Sequence, residues 1–299
     1  MTNQVFFSVI VTLFNKEKYI YQTLKSVCCQ TYAPSEIIVI NDGSTDASLQ
    51  EVARVHHSAI RVISIDNQGV SKARNLGASL AKYPWLVFLD GDDLWKENHL
   101  ITLCQLIAKF PLAKVLSTAS EVKTKTSIRF YRYQISNKKY QELDYFKGSL
   151  GHSIINSSSV AICAELFSKL KGFNPNYAHY EDVAFWFQLG LHHSIAFANT
   201  VTVTILATSN SLSRGNINYQ KACLFSEFDA VDTNNKAFYR LLDNNRFSLA
   251  ILSKIDGEKA IFKDLYQKIK LKHIGLKRSL LLLLPVYFLR FLVRFKKVI

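Results

Sequence analysis

Over the first hundred residues, short apolar runs alternate with apolar positions at helical spacing. Ser8-Val-Ile-Val-Thr12 and Glu36-Ile-Ile-Val-Ile40 have the unbroken apolar character of strands buried on both faces, and Ile60–Ile65 and Trp85–Leu89 continue the series. Between them Ile20, Leu24, Val27 and Cys28, then Leu49, Val52 and Ala53, then Ala73, Leu76, Gly77 and Leu80 mark helices. Strands separated by helices of this length predict parallel β-α-β units, and so an α/β fold with a mostly parallel sheet flanked by helices. After Asp93 the alternation loosens. A helix is predicted around Leu100, Leu103 and Ile107, a strand over Val115–Thr118, and a polar, Tyr/Lys-rich excursion over residues 121–150. Val160–Ile162 reads as a strand entering a helix at Leu166–Leu170; Glu181–Leu191 reads as a helix, and Val201, Val203 and Ile205 alternate as in a strand. Beyond residue 206 no strand pattern survives, so the expected organisation is two halves of one α/β domain, 1–100 and 101–205, followed by a helical extension, 206–299.

Composition narrows the picture. The 299 residues are 48% hydrophobic, enough to exclude a disordered chain, and 37 Lys+Arg against 23 Asp+Glu give a net charge of +14. That charge predicts a polyanionic neighbour without naming it. Five cysteines with no Cys-x-x-Cys pattern read as reduced thiols in a cytosol. Phe6–Leu13 lacks the basic segment before it and the small-residue cleavage site after it that a signal peptide needs, so it reads as a strand. From Leu265 to Ile299 there are nine Lys/Arg and no Asp or Glu, around the run Leu280–Leu289. Ten apolar residues are about half of what a spanning helix needs. Cations flanking Leu, Phe and Tyr suit a helix lying on anionic lipid, which predicts a cytoplasmic protein held peripherally on the inner face of the plasma membrane. The rival is a basic helix docked on the core.

In open parallel sheets, ligands bind beyond the carboxyl ends of the strands. There the first strand runs out to Thr12 and Asn15, the second to Asn41-Asp42-Gly43-Ser44-Thr45-Asp46, the third to Asp66, and the fourth to Asp90-Gly91-Asp92-Asp93. Carboxylates gathered on one rim repel each other unless a cation or hydrogen-bond donors neutralise them. Asp90 and Asp92, alternate residues at a strand end joined by a glycine, can share one hard divalent ion, with phosphate oxygens completing its shell. Asp93 reads as a turn residue capping a helix that begins near Trp95, and Ser44 or Asp46 as a cap for the second helix.

Four ordered motifs now carry a family resemblance: Ser8-Val-Ile-Val-Thr-Leu-Phe-Asn15, Ile38-Val-Ile-Asn-Asp-Gly-Ser-Thr-Asp46, Gly69-Val-Ser-Lys-Ala-Arg-Asn75 and Leu89-Asp-Gly-Asp-Asp93. Over roughly residues 5–205 the chain resembles the family 2 glycosyltransferases with the Rossmann-like GT-A fold. The resemblance implies inverting transfer of one sugar from a nucleotide diphosphate-sugar, with UDP the leading carrier, to a hydroxyl of a glycan or lipid-linked acceptor. Lipopolysaccharide, capsule and O-antigen synthesis are the implied settings. It places Thr12 and Asp42 at the nucleobase and Arg74 near the nucleotide, with Asn15 on the same substrate side. Asp90 and Asp92 match the Asp-x-Asp pair that holds the ribose and a Mn²⁺ or Mg²⁺ ion. Gly172-Phe173 and Glu181-Asp182 match two further pairs, which makes Glu181 a substrate contact and Asp182 the catalytic base. Gln188 stands where many relatives have Arg, and the Gln-x-x-Arg-Trp motif of processive synthases is absent, favouring one sugar per encounter.

Other residues take structural readings first. His152, His179, His192 and His193 lack the spacing of a metal site, with His179 an acceptor-side candidate beside Glu181. Ser157–Ser159 reads as loop and strand entry. Tyr131, Tyr133, Tyr140 and Tyr145 form either a sugar-stacking surface or packing for the excursion. A sugar nucleotidyltransferase is the rival enzyme, but a Gly-rich N-terminal loop for a triphosphate is missing. A basic nucleic-acid-binding module is the rival without chemistry. It is disfavoured, and no nucleic-acid partner expected, because the cations sit in the tail and the rim is acidic.

Overall fold

The four apolar runs of the first hundred residues become the parallel half of a ten-stranded sheet. In this computed structural model, which describes residues 4–207 and 217–295 (side chains to 292), the strands are β1 Phe7–Leu13, β2 Glu36–Asp42, β3 Ile60–Ile65, β4 Trp85–Asp90, β5 Leu94–Trp95, β6 Val115–Lys123, β7 Ile128–Phe130, β8 Tyr140–Leu143, β9 Val160–Cys163 and β10 Ile195–Leu206. Their order is β3-β2-β1-β4-β9-β6-β10-β5, with β7 beside β6 and β8 beside β10. The helices of this unit are α1 Ile20–Cys28, α2 Ser48–Ala53, α3 Val70–Ser79, α4 His99–Lys109, α5 Tyr145–Gly148, α6 Ala164–Lys169 and α7 Glu181–His192. The expected mixed α/β architecture, a large sheet flanked by helices with a helical C-terminal region, is the one found.

The pairing explains the burial. β1 lies between β2 and β4, parallel to both, and Val9, Ile10 and Val11 are fully buried because each face meets a layer. One face packs Val9, Val11, Val39 and Val87 against Ile20, Leu24, Leu100 and Leu103; the other packs Ile38 and Ile40 against Ala73 and Leu76. At Gly77 a Cβ would lie 2.4 Å from Ile10 Cγ2, so glycine is what lets α3 close onto β1. The edge strand β3 leaves Arg61, Val62 and Ser64 exposed.

Several expectations need correction. No helix starts near Trp95: Leu94–Trp95 is the short strand β5, antiparallel to β10, and α4 begins at His99. The excursion over 121–150 is not without structure, since β6 continues to Lys123 and β7, β8 and α5 follow. Polar strands such as Tyr140–Leu143 form because β10 supplies a backbone ladder, which side-chain patterning cannot reveal.

The chain divides into two compact units, Met1–Asn216 and Ile217–Ile299. In the second, α8 Lys236–Asp256 is followed by α9 Lys259–Lys268, α10 Leu271–Ile274, α11 Leu276–Leu283 and α12 Val286–Phe295. Asn235 caps α8 by accepting the Ala237 N–H, and Gly257 ends it in the left-handed conformation. Asp243 on α8 accepts from His273 Nδ1 (2.6 Å), tying α10 to it. The run Leu280–Leu289 is not one helix; it breaks at Leu284-Pro285 because proline cannot continue the hydrogen-bond ladder. Both pieces dock on α8: Lys254 donates to the Leu282 carbonyl (2.6 Å) and Arg290 to the Ile255 carbonyl (2.8 Å). Among the described residues no helix is long and apolar enough to cross a membrane. Lys296 and Lys297 of the basic tail, and residues 208–216 at the start of the expected extension, lie outside the described residues.

Candidate active site

The register of the parallel strands puts the polar strand ends on one rim. Thr12 pairs with Asp90 and Leu13 with Asn41, while Asp42 pairs with Ile65. Thr12 Oγ1 donates to Asp90 Oδ1 (3.2 Å). Gly91 permits the turn that follows: its N–H donates to the Thr12 carbonyl (2.9 Å), and a Cβ there would sit 2.7 Å from that oxygen.

Arg74 joins the end of β4 to the start of α7. From α3, its Nη2 donates to Asp90 Oδ1 (2.8 Å) and its Nη1 to Glu181 Oε1 (3.1 Å). The side chain is 5% exposed, with its guanidinium over the Phe173 ring at 5.1 Å and its Nε lacking a hydrogen-bond partner among the described residues. Burial alone would disfavour the charge, but Asp90 and Glu181 outweigh that and hold the guanidinium firmly protonated. The neighbouring Asn75 fixes the other wall: its Nδ2 donates to the Phe173 carbonyl (2.7 Å) and its Oδ1 accepts the Phe173 N–H (2.9 Å). Residues 74 and 75 of one motif thus hold two separate later motifs in place.

Glu181 and Asp182 open α7 next to this cation. Burial first, then the charge of Asp182, push Glu181 up to about 7 against the opposing pull of Arg74. Asp182 is also shifted upward by burial, with Arg74 opposing. A helix N-terminus acidifies carboxylates, and Asp182 Oδ1 accepts the Val183 N–H (2.7 Å), yet burial wins. The result is a carboxylate more basic than an ordinary Asp, within the electrostatic reach of Asp90 and Arg74.

Asp92 is held by Lys16, whose Nζ is 2.5 Å from Asp92 Oδ2. Lys16 was not among the residues singled out from the sequence; one lysine among 37 basic residues carries no local signal of a partner 76 positions away. Asp93 is not a helix cap. It is buried, accepting from Ser158 Oγ (2.6 Å) and the Leu206 N–H (3.1 Å), and burial with Asp90 and Asp92 nearby raises its carboxyl well above the usual range. The same Ser158 Oγ accepts the Asp90 N–H (3.2 Å).

Asp42 and Asn15 have structural work. Both oxygens of Asp42 accept backbone N–H groups, from Gln68 (2.7 Å) and Gly69 (2.9 Å), which fixes the turn into α3. Asn15 adopts φ 51°, and its Oδ1 accepts the Thr45 N–H (2.8 Å). Neither Ser44 nor Asp46 is the N-cap of α2, a position taken by Ala47; Asp46, one residue earlier, accepts the Ser48 N–H (3.0 Å), and Ser44 accepts the Asn15 N–H. Of the four tyrosines, Tyr145 is buried, Tyr133 accepts the Ser120 N–H and packs on Phe197, and Tyr140 donates to Gln105. Tyr131 has its hydroxyl pushed up to about 12 by burial and then by Asp93, with its ring stacked on exposed His152.

Residues 8–170, carrying β1 to β4 and the acidic rim, match the model of glycosyl transferase family 2. The chain belongs to that family. Among relatives, glycosyltransferase GlyG of Streptococcus pneumoniae serotype 4 is 36% identical over 103 residues, which is 33% of this chain and 34% of GlyG. An uncharacterized glycosyltransferase of Haemophilus influenzae is 27% identical over 200 residues, 62% of this chain and 60% of that protein. The chain thus spans between a third and three-fifths of the length of these two relatives. The crystal structure of Staphylococcus aureus TarS 1–349 in complex with UDP-GlcNAc superposes with a TM-score of 0.71 at 20% identity, covering 90% of this chain and 83% of that one. At that identity the likeness is one of fold, and the fold of this family 2 member is the GT-A arrangement expected from its motifs.

Proposed function

We propose that this chain transfers one sugar from a nucleotide diphosphate-sugar to a hydroxyl of a glycan or lipid-linked acceptor in cell-surface polysaccharide synthesis, with inversion. The observation that carries the reading is the Arg74 bridge, which brings donor-side Asp90 and acceptor-side Glu181-Asp182 around one buried cation. UDP is the proposed carrier, supported by the UDP-GlcNAc complex of the similarly folded TarS.

In this reading Asp182 takes the acceptor's proton as the hydroxyl attacks, a role its upward-shifted carboxyl suits. Arg74 orients Glu181 and Asp90, and Thr12 helps fix the Asp90 carboxylate. Thr12, Asn15 and Asp42 form the nucleoside side, the last two through the loops they hold. Asp92 and Asp90, whose side chains are 13% and 33% exposed at the rim, fit one Mn²⁺ or Mg²⁺ ion. Both carboxylates already hold cations, and such an ion needs only one or two protein carboxylates when phosphates supply the rest. Bound there, the ion would offset charge growing on the departing nucleoside diphosphate. The test is Mn²⁺-stimulated nucleotide release and glycan transfer from a panel of nucleotide sugars. Full turnover by Asp92→Ala or Asp182→Ala would remove the reading.

Peripheral attachment to the inner face of the plasma membrane belongs to the same proposal. α11 and α12 turn Leu282 and Leu289 inward, while Leu276, Leu280 and Leu283, then Tyr287, Phe288 and Phe291, are each more than half exposed on the outside. Lys272, Lys277, Arg278 and Arg290 are exposed around that apolar surface. Apolar side chains ringed by cations complement an anionic lipid surface, whereas a second copy of the chain would bring like charges together.

A further inference from the structure

Among the described residues, two cations that pair with the acidic rim differ in kind. Arg74 is 5% exposed, forked between Asp90 and Glu181 and stacked on Phe173, so it is a permanent part of the fold. Lys16 is a point charge on a flexible stem, 16% exposed, touching Asp92, which is itself 13% exposed. The Lys16 N–H donates to Ser48 Oγ (2.8 Å), and the preceding Asn15 is anchored to the β2–α2 loop through Ser44 and Thr45.

We propose that Lys16 is a resident counter-cation for Asp92, which makes the divalent ion and the nucleotide diphosphate bind together rather than separately. The proposal rests on the donor-and-metal reading above and goes beyond it by assigning the order of assembly to one side chain. At the donor end Arg74 is shared between Asp90 and Glu181, while the Lys16 ammonium sits directly on Asp92. A divalent ion arriving alone must meet an ammonium already on its carboxylate. A diphosphate arriving alone finds carboxylates already present at the rim. Arriving together, the ion takes the place of the ammonium at Asp92, and the freed ammonium has a new anion in the diphosphate. Because both charges are largely shielded from water, salt screens the pair only weakly. Coupling of this kind is reciprocal: the nucleotide must strengthen metal binding by the same factor as the metal strengthens nucleotide binding.

The experiment is a Mn²⁺ titration of the full chain, with and without saturating UDP, following the paramagnetic resonance signal of free Mn²⁺. Wild type, Lys16→Met and Lys16→Arg are compared, with Lys16→Gln as a second neutral variant should the Met protein not fold. Wild type is expected to bind Mn²⁺ weakly alone and about tenfold or more tightly with UDP. Removing the ammonium should tighten binding of Mn²⁺ alone by about tenfold, a like charge at contact having been taken away, and shrink the gain from UDP by the same factor. Lys16→Arg should stay close to wild type. Equal Mn²⁺ affinity of wild type and the neutral variant without nucleotide, or an undiminished UDP gain, would overturn the role of Lys16 while leaving the donor reading intact. If neither Mn²⁺ nor any of UDP, GDP and dTDP binds, the donor reading fails and takes this proposal with it.

Discussion

Glu181→Gln should stabilise the first unit in alkaline solution and leave it almost unchanged in acid. Glu181 is 8% exposed, and its carboxyl rises from an ordinary 4.5 to about 7 through burial and the charge of Asp182, against the pull of Arg74. A carboxyl whose folded value lies above its unfolded value contributes stability that is complete below the unfolded value. That contribution is lost as pH rises through the folded one. At about 1.4 kcal/mol per pH unit the rise from 4.5 to about 7 corresponds to about 3 kcal/mol, spent by pH 8 in keeping an ionised Glu181 inside. Gln mimics the neutral acid and can still accept from Arg74, so it escapes that cost. The stability difference between variant and wild type should therefore open from near zero at about pH 4.5 to about 2–3 kcal/mol at about pH 8.5. The lower figure allows for Asp182, whose own carboxyl relaxes once its neighbour is neutral. Urea denaturation followed by tryptophan fluorescence isolates the first unit, because Trp85, Trp95 and Trp186 all lie within it. A difference independent of pH to within about 0.5 kcal/mol would show that Glu181 titrates normally. A destabilised variant at alkaline pH would show that the ion pair with Arg74 outweighs burial. Either result refutes the reasoning.

Asp182→Asn should lower glycan transfer by about 10²–10⁴-fold, the usual worth of a general base, while UDP affinity measured by calorimetry stays within about twofold. The full chain should float with phosphatidylglycerol vesicles and not with phosphatidylcholine alone. Leu283→Asp or Phe288→Asp, each at an exposed position, should weaken that binding about tenfold per site. Gly77→Ala should cost about 1–3 kcal/mol in the same urea assay, because its methyl would overlap Ile10 Cγ2 at 2.4 Å; an unchanged midpoint would mean that α3 can slide off β1.

What could be read from the sequence was what burial imposes. β1, β2 and β4 are covered on both faces, so their apolar runs are continuous; each runs on past its expected end, to Leu13, Asp42 and Asp90, because the backbone ladder continues into the polar residues. The carboxylates beyond them follow from the parallel topology alone. Strands held by backbone pairing were hidden: β5 has two residues, and β7 has three, all exposed, so neither imposes a pattern on its side chains. The environment of Asp93 is hidden from local sequence for a related reason. Its partners, Ser158 and Leu206, come from 65 and 113 residues away, so a local turn was the only visible explanation for it.

The cations were hidden most completely, and they decide whether an acidic rim can exist in a folded protein. Three neighbouring carboxylates, Asp90, Asp92 and Asp93, are tolerated by three different means. Asp90 has a buried guanidinium, Asp92 the less buried ammonium of Lys16, and Asp93 is driven by burial toward the neutral acid. Only the second is reversible without disturbing the core, since Arg74 cannot leave Asp90 without abandoning Glu181 and leaving its charge buried. In the proposed metal-dependent reading, a site that admits a doubly charged ion and then releases it needs one countercharge that can step aside. Under the proposal above, Lys16 in the β1–α1 turn would be that exchangeable charge, and Arg74 on α3, which also pairs with Glu181 of α7, the fixed one.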